Sequence, residues 1–400
     1  MSRLERLIVE LCPNGVEYKR IEEICTKISS GGTPSTSRSN YYDGNIPWLR
    51  TQEIDWVDIM DTGVKITEEG LKNSPANWIP NNCVIVAMYG ATAAKVAINK
   101  IPLTTNQACC NLQVNECEAT YRYVYYWLCN KYEELKALGQ GSQSNINARI
   151  VRDFPILVPP LPIQREIVRI LDNFTELTAE LTAELTARKK QYEYYRDVLL
   201  TFGDDVIYKP LEMVAVVVDS LHQTPSYVKN GLNMIRVTDI KGGYLNLDVA
   251  FKVDNETFNI FTKKYAPQKG DLVMSRVGSY GNVSIVPSSG TICMGQNTVV
   301  IHPLINEKFL YYILTSERVR NFIEKNVGGG SQKTLSLKSI KEIPIPMVRD
   351  DEQKRISDIL DRFDALTTDI SSGLPAEIAA RQKQYEYYRD KLLTFKELNA

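Results

Sequence analysis

"RKKQYEYYRDVLLTF" (Arg188 to Phe202) and "RQKQYEYYRDKLLTF" (Arg381 to Phe395) are one fifteen-residue phrase written twice, changed only where Lys189 becomes Gln382 and Val198 becomes Lys391. Its tyrosines, leucines and phenylalanine recur at intervals of three and four, the period of a helix with one apolar stripe. The duplication extends well beyond the phrase. At an offset of roughly 190 residues "GVEYKRIEEI" (from Gly15) meets "DVIYKPLEMV" (from Asp205), and "WLRTQEI" (from Trp48) meets "MIRVTDI" (from Met234). Further on, "IVAMYGATAAKVAI" meets "VMSRVGSYGNVSIV", "YVYYWL" meets "FLYYIL", "GQGSQ" meets "GGGSQ", and "DFPILVPPLPIQREIVRILDNF" meets "EIPIPMVRDDEQKRISDILDRF". The order is globular unit, helix, globular unit, helix.

The copies have drifted unequally. Thirteen of fifteen positions agree in the helical phrase, whereas the globular parts share scattered framework residues. A surface that meets the same partner twice stays the same after duplication, and surfaces that meet different partners separate. The helices therefore read as two equivalent docking sites, and the globular parts as two readers of different things.

Four hundred residues, 44% hydrophobic and 24% charged, exceed one ordinary core and predict two or more domains. A net charge of -1 gives no overall pull toward nucleic acid, so any such binding rests on local surfaces. The eight cysteines form no CxxC pair and only His222 and His302 supply imidazole, which argues against a structural metal and for reduced cysteines in a cytoplasmic protein. No signal-like segment and no run of about eighteen apolar residues is present, so no membrane embedding is expected.

The spacing predicts an α+β chain: mixed domains over residues 1–155 and 204–345, and helical spacers over 156–203 and 346–400. Short apolar runs such as "CVIVAMY", "KVAIN", "DLVMSRV" and "NTVVIHP" predict strands, with helical segments near Tyr121 to Leu138 and Glu307 to Lys325. From Pro162 a seam of Ile163, Ile167, Ile170, Phe174, Leu177, Leu181, Leu185, Arg188, Tyr192, Tyr195, Leu199 and Phe202 follows a coiled-coil register with one stutter. The natural partner of so long a helix is the other copy, giving an antiparallel coiled coil and an internal pseudo-two-fold. Pro375 in "SGLPAE" predicts a kink or break in the second spacer. The stutter comes from "TELTAELTAELTA" (from Thr175), a Leu-Thr-Ala-Glu repeat in which each unit adds about 6 Å and about 40°.

The whole chain resembles the specificity subunit of type I restriction-modification systems, type IC in particular. The likeness is carried by two unlike domains alternating with two like spacers, "PLPIQREIVRILD", the four-residue repeat and "RQKQYEYYRD". The resemblance implies a non-catalytic subunit that binds double-stranded DNA, reads a split site with two target-recognition domains and holds two methyltransferase subunits, which restriction subunits then join. It also implies no cofactor in this chain, with S-adenosylmethionine, ATP and Mg²⁺ belonging to the partners. The residues agree: no phosphate-binding GxxxxGK[ST] loop or Asn-Pro-Pro-Tyr motif occurs. The rivals are a coiled-coil adaptor whose ends bind something other than DNA, an enzyme with catalytic globular units, and a specificity subunit without partners.

Base reading needs polar or guanidinium side chains on loops able to enter the major groove. In the first copy the candidates are Thr33, Ser35, Arg38, Arg50, Gln52, Tyr89, Lys95, Asn106, Gln107, Ser142 and Gln143. The second offers Thr224, Ser226, Tyr227, Arg236, Thr238, Arg276, Tyr280, Gln296, Asn297, Ser331, Gln332 and Lys333. For each, a framework hydrogen bond is the alternative role, above all for Arg50 and Arg236 in the matching "WLR" and "MIR". Tyr192, Tyr195, Tyr385 and Tyr388 fall on the seam. Tyr194, Arg196, Tyr387 and Arg389 fall off it in both copies, which marks them as the methyltransferase-docking face.

Overall fold

Each repeat folds around a small sheet because its apolar runs are strand-length and buried on both sides. The computed structural model describes residues 2–139, 145–203, 205–328, 333–368 and 373–398. Chain contacts divide it into two compact units, Met1–Leu181 with Ile378–Ala400, and Thr182–Glu377. In the first unit the strands of this sheet are β1 (Cys25–Ser30), β2 (Asp58–Ile59), β3 (Val84–Ala87), β4 (Val96–Asn99) and β5 (Cys109–Val114), ordered β1-β5-β3-β4-β2. In the second they are β6 (Ala215–Asp219), β7 (Leu272–Ser275), β8 (Val283–Ile285) and β9 (Thr298–Pro303), ordered β6-β9-β7-β8.

Strand alternation explains why continuous apolar runs are needed here. Along β3, Val84 and Val86 point into one core while Ile85 and Ala87 point into another. Along β7, Leu272 and Met274 divide from Val273 in the same way. One face is covered by a helix, Tyr121–Asn130 in the first unit and Glu307–Leu314 in the second. Thr120 caps the first by accepting from Tyr123 N, and Asn306 caps the second by accepting from Phe309 N. Tyr123, Tyr126 and Trp127, and in the second unit Phe309 and Tyr312, are fully buried there. Each such side chain contributes about 1.5–3 kcal/mol through burial. Helices resume at Tyr132–Ala137 and Glu317–Asn326, so each expected helical segment is two helices.

A two-stranded antiparallel clasp closes each domain just before its spacer, Tyr18–Arg20 with Pro155–Leu157 and Tyr208–Pro210 with Pro344–Pro346. The first spacer is one helix, Leu161–Leu199, of 39 residues and roughly 60 Å. Pro162 stands in its first turn, where a missing N–H breaks no bond. Threonine hydroxyls of the repeat bond back along the helix, Thr178 to the Phe174 carbonyl at 2.8 Å and Thr186 to that of Thr182 at 2.9 Å. The second spacer is two helices, Asp350–Thr368 and Leu374–Leu392, with Gly373 in a bend and Pro375 in the first turn of the second piece.

Within the first unit Phe174 stacks on Tyr388, centroids 5.4 Å apart at 21°. Within the second, Phe363 stacks on Tyr195 at 5.8 Å and 25°. The early part of each spacer thus packs on the late part of the other, the order produced by two helices running in opposite directions. The seam is less buried than its register predicts. Leu177 is 45% exposed and Tyr195 41%, because two helices cover only part of each side chain's circumference.

Candidate nucleic-acid interface

Antiparallel pairing gathers three loops at one end of the first sheet. β1 ends at Ser30 opposite Cys110, and β3 ends at Ala87 opposite Cys109. The segments around 31–35, 88–95 and 106–108 therefore leave the sheet together. Met88 N donates to the Ala108 carbonyl at 2.8 Å, and Ile146 N to the Met88 carbonyl at 2.9 Å. Gly90 N donates to Asn145 Oδ1 at 3.0 Å, and Thr92 Oγ1 to the Thr51 carbonyl at 2.9 Å. The Thr33 hydroxyl meets the Gln107 amide. One rim thus brings together Thr33, Ser35, Gln52, Tyr89, Lys95, Asn106 and Gln107, with Arg38 exposed one turn beyond Ser35.

The second unit repeats the plan with other side chains. Arg276 N donates to the Asn297 carbonyl and Leu335 N to the Arg276 carbonyl, both at 2.8 Å. With its amide oxygen turned toward donors, Gln296 accepts from Gln223 N and Thr224 N at 3.2 Å, as Gln107 meets Thr33 in the first unit. Thr224, Gln296 and Asn297 share this rim, Tyr280 stands in the turn that follows Arg276, Tyr227 packs edge-on against Phe251 at 4.8 Å, and Ser226, Tyr227 and Lys333 are exposed. Asn297 has φ of 62°, a left-handed turn that asparagine tolerates. Ser142, Gln143, Ser331 and Gln332 lie outside the described residues.

Several of the cations are occupied by neighbours. Arg50 pairs with Glu53 and Arg236 with Asp239, each at the entry of a matching 3₁₀ turn, Thr51–Glu53 and Val237–Asp239. Arg236 also lies 3.6 Å from the Phe251 ring centroid. Arg276, 13% exposed, bonds the Leu335 carbonyl and Asp219. Lys95 pairs with Asp55 at 2.6 Å over the Trp56 ring. The groups left outward are mainly amides and hydroxyls, Gln52, Gln107, Thr224, Ser226 and Thr238, with Tyr89 and Tyr227. Such groups suit base edges through paired donors and acceptors.

Residue types alone did not reveal how each domain is fixed to its spacer. Gln164 is fully buried in the first spacer turn, accepting from Thr120 N and donating to the Glu118 and Pro159 carbonyls. Gln353 does the same with Asn306 N and the Val348 carbonyl. Two turns on, Asp172 accepts from Arg122 Nε at 2.8 Å and Tyr126 OH at 2.5 Å. Asp361 accepts from Lys308 Nζ at 3.2 Å and Tyr312 OH at 2.6 Å. Burial pulls the Lys308 ammonium toward neutrality, but Asp361 and Tyr244 outweigh it and raise its pKa. Burial and then the Asp361 contact push the Tyr312 phenol well up, so it stays a donor. The signal was available in "ILDNF" and "ILDRF", which keep the aspartate in both copies.

The expected docking face has one geometry twice. Arg196 lies 5.8 Å from the Tyr192 ring centroid and bonds Asp197, and Arg389 lies 5.8 Å from Tyr385 and bonds Asp390. Tyr194 and Tyr387 are 65% and 61% exposed, each edge-on to the next tyrosine. Burial raises the pKa of Tyr192 and Tyr385, consistent with their seam positions.

Among the described residues no cluster of three or more His, Cys, Asp or Glu is arranged to hold a metal, and no helix is long and apolar enough to cross a membrane. The eight cysteines are all free thiols. Burial pushes Cys83 up to about 11 and Cys25 and Cys110 up to about 12, which keeps them protonated and unreactive.

Residues 13–188 and 229–380 match the family model described as the type I restriction modification DNA specificity domain. The chain belongs to the type I restriction-modification specificity family. It is 36% identical over 289 residues to the specificity subunit of an Escherichia coli type I restriction enzyme, covering 68% of this chain and 70% of that one. A Haemophilus influenzae protein described as a type I restriction enzyme specificity subunit is 30% identical over 400 residues, covering 95% and 96%. A chain in a solved structure of the type I system, concerned with its assembly and conformational transition, shares the fold with a TM-score of 0.63 at 16% identity, over 96% of this chain and 98% of that one. As a type I specificity subunit this protein serves DNA sequence recognition and is a non-catalytic component.

Proposed function

We propose that this specificity subunit reads a bipartite duplex site, one half with each rim, and leaves the bases between them unread. The observation that carries the reading is that two rims of the same architecture present different outward side chains, while the spacers keep one phrase almost unchanged. The target-recognition domains are residues 1–155 and 204–345, and the spacers 156–203 and 346–400. Two methyltransferase subunits dock on the repeated Tyr194–Arg196 and Tyr387–Arg389 faces, and restriction subunits join through them. S-adenosylmethionine, ATP and Mg²⁺ act in those partners.

Long-read methylation mapping of a host carrying this subunit with its methyltransferase tests the function. The expected result is one interrupted motif, methylated on both strands and lost when the subunit is deleted; an uninterrupted motif, or methylation that survives deletion, contradicts it. For the docking face, Arg196→Glu with Arg389→Glu is expected to remove most bound methyltransferase, because each reversal also places a like charge beside Asp197 or Asp390. A sizing column reads the result. An unchanged complex mass rejects that face.

A further inference from the structure

The second unit holds an open cleft at a place where the first carries a tryptophan. In the first, Trp56 adopts a φ of 53° just before β2, packs edge-on against Tyr132 at 5.3 Å and carries the Lys95 ammonium at 4.5 Å. The next carbonyl, of Val57, accepts from Ile98 N at 3.1 Å. In the second unit Gly243 takes that role, accepting from Ile285 N at 2.8 Å, so Gly242 stands where Trp56 does. Its own φ is 101°. The Tyr311 hydroxyl accepts from Gly243 N at 2.7 Å, and Tyr125 donates its hydroxyl to the Trp56 carbonyl at 2.8 Å, which fixes the correspondence.

No side chain replaces the indole, and a cavity of about 810 Å³ remains, walled by Lys241, Tyr280, Arg196 and Arg320. Arg196 has Asp197, and Asp364 lies on the spacer side. Among the described residues Lys241 and Arg320 have no ion pair and no side-chain hydrogen bond, although Glu324 stands one turn from Arg320. Gly278 belongs to the rim turn and also lines the cleft. A side chain at Gly243 or Gly278 would meet nothing within 4 Å, so both present bare backbone to open space.

We propose that this cleft seats the sugar-phosphate backbone flanking the half-site read by the second rim, with Lys241 and Arg320 each neutralising a phosphate. The inference rests on the DNA-recognition reading. Two unpaired cations beside close-approach glycines form a strand-tracking surface that carries no sequence information of its own. In a chain of net charge -1 they supply affinity where the global field does not. At the matching position of the first unit stands the Trp56 indole, with Lys95 over it and already paired with Asp55.

The test uses the full chain assembled with its methyltransferase on a duplex containing the mapped motif. Lys241→Ala with Arg320→Ala should make the dependence of log affinity on log salt shallower by about 1.8, at about 0.9 per phosphate contact, with the methylated motif unchanged. Gly242→Trp, which rebuilds the indole of the first unit, should weaken binding without removing charge. A salt dependence equal to wild type overturns the inference, as does loss of methyltransferase from the double variant, which would make the cleft a protein seat. Failure of the wild-type complex to bind any duplex strikes the recognition reading instead.

Discussion

Replacing residues 204–345 with the corresponding domain of another specificity subunit is expected to change one half of the methylated motif completely and leave the other half intact. The second domain has its own core on both faces of its sheet and its own clasp, Tyr208–Pro210 with Pro344–Pro346. A graft can therefore fold without borrowing from the first domain. It must still offer the spacer its receptors, a backbone N–H at the position of Asn306 for Gln353, and a cation and phenol like Lys308 and Tyr312 for Asp361. Each bond to that carboxylate contributes about 1.5–3 kcal/mol, and without them the domain loses its set angle on the helix. Methylation mapping of the hybrid decides the matter. A change in both halves, or in neither, defeats the assignment of one rim to each half.

Inserting one more Leu-Thr-Ala-Glu unit after Glu180 is expected to abolish methylation of the original site and create a site with the same half-sites farther apart. Four residues add about 6 Å and about 40° to a helix, close to two base pairs at about 3.4 Å each. The insert should stay helical because its threonine bonds back to the helix, as Thr178 does to the Phe174 carbonyl, and its leucine extends a seam already partly open to water. A new motif with altered half-sites would mean that the repeat acts on the rims and not on their separation. An unchanged spacing would mean that the first spacer does not set it.

The spacers were legible because a helix of this length can only write its burial as an apolar stripe, and Pro375 announced its own break. The strands were legible for a related reason, since runs such as "VIVA" must satisfy two cores at once. The rims were legible only as a set of candidates: that Thr33 stands with Gln107, and Thr224 with Gln296, emerges from the folded chain. What residue types could not disclose was which cations were already engaged. Arg276 looks like a base reader until Asp219, 57 positions away, is found on its guanidinium. Lys241 and Arg320 are hidden for the converse reason, that freedom from a partner leaves no trace in a sequence. Gln164 reads as an ordinary polar residue of a helix start, and Asp172 as a solvated carboxylate, until the groups they satisfy are seen to come from another element.

The twin Tyr–Arg arrangement on the spacers also bears on how such a protein changes over time. If both faces seat the same helper, as proposed above, a substitution that refits one to an altered helper would leave its twin fitted to the old one, and half of every assembly would become defective at once. Improvement has to arrive at both places together, or be copied from one to the other by gene conversion. On that proposal the double requirement would act as a brake felt by the rods and not by the rims.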